Sequence, residues 1–248
     1  MLKRHRFTLL FYALLIALSV SVFWPLSGDN DRFQSGIEAA RRGEFEKAYA
    51  AWRPLAERGY PRAQYGIAVL FERGQGVKRD VEAAAEWYRK AAENGVWEAQ
   101  VNLGLLLVAG EGTEQDHTAA AHWFQRAAEQ GSAEGQTNLA QLYLRGLGVE
   151  RDTERGVALL RQAAGQEYAP AQLALAEAFR RGEAVTRNPE EAYFWASLAA
   201  QGEPAVARRA GALLQELTGQ LNAGQLTRLQ QRIARWKSDA YASRRNGE

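Results

Sequence analysis

The sequence predicts an all-α protein, an α/α solenoid of about five to six stacked helical hairpins behind an N-terminal transmembrane or signal segment. Three observations predict it. Glycines recur at Gly74, Gly110, Gly146 and Gly182, each 36 residues after the last. The alanine pairs Ala91-Ala92, Ala127-Ala128, Ala163-Ala164 and Ala199-Ala200 keep that step, as do Trp87, Trp123, Leu159 and Trp195. An apolar run from Phe7 to Trp24 stands ahead of them all. A fixed period of this size means a stack of like units, which grows by adding neighbours and not by enlarging one core.

The N-terminal segment, residues 1–28, opens with Lys3, Arg4, His5 and Arg6 before 18 nearly unbroken apolar residues. That length is at the lower end of the roughly 17–25 needed to span a bilayer as a helix. The basic flank should stay in the cytoplasm and leave the rest of the chain on the far side. Phe23 and Trp24 suit the membrane–water interface. Ser19-Val20-Ser21 offers a cleavage point for a signal peptide, but the apolar run is long for a signal core, which favours an anchor. Ser27 to Asp31 reads as the linker that follows.

Removing Lys3, Arg4 and Arg6 from the 31 basic residues leaves 28 against 29 acidic ones. A near-neutral body carries no electrostatic footprint for nucleic acid. The chain has no cysteine, which excludes disulfides, thiol nucleophiles and Cys-based metal sites.

Residues 29–60 form a divergent N-terminal capping repeat. A short helical pattern from Phe33 to Arg42 breaks at Gly43. A second then begins, with Trp52 standing where Tyr88 stands one period later. Four regular units occupy 61–202. In each, a first helix carries an apolar stripe such as Ala99, Leu103, Leu106 and Leu107. Gly110 and its counterparts end that helix, since the left-handed residue past a helix end is cheapest as glycine. Asp80, Asp116, Asp152 and Asn188 then sit where a side chain should cap the second helix. The recurring tryptophans on the second helices read as roofs of each hairpin's core, and their periodicity favours packing over a ligand platform. Residues 203–237 read as two C-terminal capping helices, with Leu226, Leu229, Ile233 and Trp236 on one face. Residues 238–248 read as a polar tail.

The pattern Ala99-Gln100-Val101-Asn102-Leu103-Gly104-Leu105-Leu106 resembles the Sel-1-like repeat. So does Gly74-Gln75-Gly76-Val77 through Asp80, with the Trp87-Tyr88-Arg89-Lys90-Ala91-Ala92 that follows. The resemblance weakens where Ala184 replaces a loop glycine, and where Glu167 and Glu203 replace the glycine that closes a unit. It implies a tetratricopeptide-like helical solenoid of bacterial origin that supplies adaptor surfaces rather than catalysis. It also implies that successive first helices line a groove. The positions offset from the packing stripe are Tyr65, Val69 and Glu72, then Val101, Leu105 and Val108. The next units give Thr137, Gln141 and Leu144, then Leu173, Glu177 and Arg180. Val101, Leu105, Val108 and Leu144 would make its centre apolar, unless neighbouring loops or the first unit cover them. Asn102 and Asn138 recur beside these positions, either to bond a peptide backbone or as the repeat's own Asn-Leu-Gly pattern.

No catalytic, cofactor or metal constellation is legible. His117 and His122 are five apart, which does not stack them on one helix face. The Gly-x-Gly loops follow helices and lack a phosphate-loop lysine. The expectation is a non-enzymatic scaffold that binds a protein or peptide in the cell envelope and meets the membrane through its N-terminus. The repeats would lie in the periplasm, on a single-pass inner-membrane anchor or free after cleavage. A cell-wall or carbohydrate binder with weak hydrolase activity is the alternative, drawing on seven tryptophans.

Overall fold

The computed structural model describes residues 27–246, so the apolar run Phe7 to Trp24 lies outside the described residues. They form twelve helices and, among the described residues, no strand. None of these helices is long and apolar enough to cross a membrane. The chain divides into two compact units, Met1–Ala84 and Ala85–Glu248.

The first unit holds α1 (Ser27–Arg41), α2 (Phe45–Glu57) and α3 (Pro61–Arg73). Ser27 to Asp31, expected as a linker, is instead the first turn of α1. Asp29 there faces the positive end of the helix dipole and pairs with Arg58, whose hydrogen bond holds the carboxyl below its ordinary pKa. Trp52 of α2 is the centre of this unit. A Cβ on Gly36 of α1 would lie 2.2 Å from its Nε1, and one on Gly66 of α3 would lie 2.7 Å from Cε3. Two glycines therefore let an indole sit where the neighbouring helices would otherwise exclude it. Its N–H donates to the Phe33 carbonyl at 3.1 Å, so no buried donor is left over.

The second helix of the first regular repeat, α4 (Val81–Glu93), begins in the first unit and continues in the second. The second unit then runs α5 (Trp97–Ala109), α6 (His117–Glu129), α7 (Ala133–Arg145), α8 (Thr153–Gly165), α9 (Ala169–Arg181), α10 (Pro189–Ala199), α11 (Pro204–Thr218) and α12 (Ala223–Asn246). From α5 to α11 each helix packs on the next, α12 packs on α10, and α5 meets α7, α7 meets α9 and α9 meets α11. First helices thus make one layer, which α11 extends.

The hairpins close as the spacing predicts. Gly110, Gly146 and Gly182 stand in the left-handed conformation just past their helices. The side chains of Asp80, Asp116 and Asp152 each accept the amide three residues on at 2.9 Å, and Asn188 accepts two amides. The second loop glycine has a further reason to be glycine. A Cβ on Gly148 would lie 2.2 Å from the His117 carbonyl carbon, where the loop of one hairpin rests on the start of the preceding second helix.

The repeating tryptophans are not the cores of their hairpins. Tyr88 and Phe124, one residue on, are buried, and Phe124 fills the space left by Gly104. Trp87 and Trp123 lie half-buried under Lys90 and Arg126, at 4.2 and 5.2 Å from the ring centres. Trp195 departs from them. It is buried beneath the C-terminal cap, where Phe194, Trp195 and Trp236 stack edge to face. Helix α12 reaches them through a reciprocal cap in which Asn222 and Gln225 each accept the other's amide at 2.9 Å. It then continues to Asn246, past the end expected near Trp236, so the segment read as a polar tail is mostly helix.

Where glycine is replaced, the backbone keeps its shape. Glu167 and Ala184 hold φ of 61° and 67°, in line with Gly131 and Gly148 one period earlier. A side chain there costs roughly 1–2 kcal/mol of left-handed strain, partly offset by the entropy that glycine loses on folding. Glu167→Gly should therefore raise unfolding stability by about 0.5–1 kcal/mol. A chemical denaturation midpoint that stays put or falls would contradict this.

Candidate functional site

Of the residues expected to line the first-helix face, three are inside the protein. Val101 is 1% exposed, Leu173 4% and Thr137 9%. They share one register position, and the close approach of α5 to α7 and α7 to α9 covers it. Thr137 spends its hydroxyl on the Ala133 carbonyl at 2.7 Å. The next position along remains on the surface. Leu105 is 40% exposed, the one large hydrophobic side chain exposed among the described residues, and Gln141 is exposed one period later. Asn102, Val108, Asn138 and Leu144 are half-buried. Leu144 leans into its own hairpin, close to the space above Gly156. The apolar centre expected from four residues is therefore carried by Leu105, with Asn102, Val108 and Asn138 beside it.

Glu177 and Arg180 are engaged within the chain. Glu177 accepts from Arg209 of α11 at 2.7 Å, and Arg180 pairs with Glu216 of α11 at 3.6 Å. The face is thus closed at its C-terminal end by α11, one of the two capping helices expected over residues 203–237, through ion pairs that were not expected. Arg209 and Glu216 lie beyond the last repeat and carry no periodic signal.

Glutamines inside the second unit form a feature the sequence reading also missed. Gln100 is fully buried, its Nε2 donating to the Ala92 carbonyl at 3.1 Å and its Oε1 accepting from Gln130 at 2.8 Å. Gln172 repeats the first bond at 3.2 Å to Ala164, and Gln136 accepts from Gln166 at 2.9 Å. The recurrence of Gln64, Gln100, Gln136 and Gln172 every 36 residues was the available signal. A polar residue kept in step with the alanines belongs inside.

In the first unit, Tyr65 and Val69 line a cleft of about 530 Å³ between α1 and α3. Phe33, Ile37 and Phe45 complete its apolar wall, and the Trp52 indole is its floor. Gly66 opens it, for one period later the same position holds Asn102. Arg41, Arg62 and Arg73 also line it, all three exposed. Glu72, next in the expected series, is half-buried and not part of this wall.

No group of three or more metal-ligating side chains occurs among the described residues. His122 lies edge-on to Trp123, and the buried Nδ1 of His117 has no hydrogen-bond partner. Tyr168 is the most shifted titratable group among the described residues. Burial first, then the charges of Glu134 and Glu203, push its phenol up to about 12. That keeps it protonated at neutral pH, as expected for a packed tyrosine and opposite to what a general base requires.

A Sel1 repeat model matches residues 61–96, 97–132, 133–168 and 169–203. The chain is similar in structure to a protective antigen of uropathogenic Escherichia coli with an SLR fold (TM-score 0.76, 30% identity). The match covers 89% of this chain and 48% of that one, so this chain spans about half the length of that antigen. It is also similar to a Sel1 repeat protein from Oxalobacter formigenes (TM-score 0.68, 25% identity), covering 84% and 87% of the two chains. A 49-residue stretch, 20% of this chain, is 35% identical to DAP3-binding cell death enhancer 1 of Rattus norvegicus, of which it covers 10%.

Proposed function

Because the chain belongs to the Sel1 repeat family, we propose that it is a non-enzymatic scaffold which holds a protein partner against the first-helix face of its repeats. Sel1 repeat proteins are generally protein-interaction scaffolds and typically non-catalytic. The observation that carries the assignment to this face is Leu105, an exposed leucine in a row of first helices whose other large apolar side chains are at least partly covered. An exposed apolar residue among amide side chains suits recognition of a peptide, whose backbone needs donors and acceptors.

We place this scaffold in the bacterial cell envelope, tethered to the inner membrane with the repeats in the periplasm, or released there by cleavage. Support for that location comes from the basic flank and the 18-residue apolar run alone. The carbohydrate reading is the weaker one. A sugar stacks on an open aromatic face, whereas Trp87 and Trp123 each carry a cation over the ring.

A photocrosslinking residue at Gln141 in intact cells should give a discrete protein adduct, while one at Lys90 on a second helix should not. Leu105→Asp should reduce the Gln141 adduct more than tenfold, and helix content should hold because an exposed substitution shifts stability by only about 0.5 kcal/mol. An adduct indifferent to Leu105→Asp would remove the first-helix face from the proposal.

A further inference from the structure

The cleft between α1 and α3 stands out among the first-helix positions for its apolar wall. Its volume of about 530 Å³ is that of a site for one large side chain with its neighbours. The floor is saturated as far as hydrogen bonding goes, since the Trp52 N–H is spent on the Phe33 carbonyl. Only its apolar ring is offered. Around it the lining carries three arginines and, among the described residues, no acid. Arg41 and Arg73 make no ion pair among the described residues, unlike Arg42 and Arg53 nearby, which pair with Glu38 and Glu57.

We propose that this cleft docks an acidic segment of a partner polypeptide, seating one aromatic or leucine side chain on Trp52 and setting flanking carboxylates against Arg41 and Arg73. The proposal deepens the scaffold reading and rests on it. Charge decides the occupant. Three arginines and, among the described lining residues, no acid call for an occupant that carries carboxylates. Guanidinium groups pair with carboxylates in a forked geometry that adds orientation to attraction. An apolar anchor ringed by such pairs is the arrangement that gives a short peptide both its affinity and its register.

The test is to pan a random dodecapeptide display library on the full chain. Enriched sequences should combine an aromatic residue or leucine with at least two Asp or Glu. A labelled enriched peptide should bind saturably. It should lose at least tenfold in affinity on Arg41→Glu with Arg73→Glu, and less than twofold on Arg89→Glu with Arg161→Glu, which changes net charge equally. Both pairs are exposed, so circular dichroism should show all variants folded. Basic enriched sequences, no enrichment, or equal loss in the two double variants would overturn the proposal. Binding of sodium dodecanoate without binding of any acidic peptide would overturn it in favour of a fatty-acyl site. A Gln141 adduct that persists through any of these outcomes leaves the scaffold reading standing and the cleft proposal refuted.

Discussion

Gly148→Ala will destabilise the protein by about 3–5 kcal/mol, although Gly148 is exposed and its side chain is a single hydrogen. Two costs combine. The residue holds φ of 68°, where a Cβ is strained, and that Cβ would overlap the His117 carbonyl carbon at 2.2 Å and the Thr118 nitrogen at 2.5 Å. Both obstacles are backbone, held by the helix they begin, so neither can swing aside. Gly110→Ala is the control. It shares the backbone conformation, with φ of 70°, but its Cβ would meet the Gln115 side chain at 3.3 Å. That change should cost only about 0.5–1 kcal/mol. Thermal melts followed by circular dichroism should separate the two by about 10 °C. Equal losses would mean the loop does not rest on the neighbouring helix.

Gln100→Ala should cost about 2–4 kcal/mol, combining the cavity left by a fully buried side chain with the loss of its hydrogen bonds to the Ala92 carbonyl and to Gln130. Gln130→Ala removes the donor to the same side chain, but Gln130 is exposed and its loss should cost under about 1 kcal/mol. Urea denaturation of both variants checks the ordering. A mild Gln100→Ala would show that the bonds seen at 3.1 and 2.8 Å add little beyond packing.

Much of the fold was legible because it is written four times. Asp116 and Asp152 could be placed as caps, and Gly110 and Gly146 as helix ends, from the step alone, since each feature follows from local backbone chemistry. Which residue faces inward was less legible. Trp87 outranks Tyr88 in size, yet Tyr88 is the buried one, because a helix turns about 100° per residue and periodicity does not fix its rotation. Val101 and Leu105 shared a stripe on paper, but only the approach of neighbouring first helices decides that one is covered and the other open. The pairing of Glu177 with Arg209 was out of reach of any repeat pattern, since one partner lies outside the repeats. The cleft over Trp52 depends on two glycines far apart in sequence, Gly36 and Gly66, which meet only once α1 and α3 flank the same indole.

The glutamine links have a consequence for how such a chain can change. Gln100 reaches a carbonyl eight residues before it and an amide thirty residues after it, and Gln136 meets Gln166 across the same interval. An inserted block of 36 residues brings its own donor, acceptor and loop, and leaves every existing partner in place. A single extra residue between Ala92 and Gln100 would turn the amide away from its carbonyl. Length in this part of the protein is therefore quantised, and ancestral variants should differ by whole modules while single-residue gaps gather in the Gly-x-Gly loops or beyond the final cap.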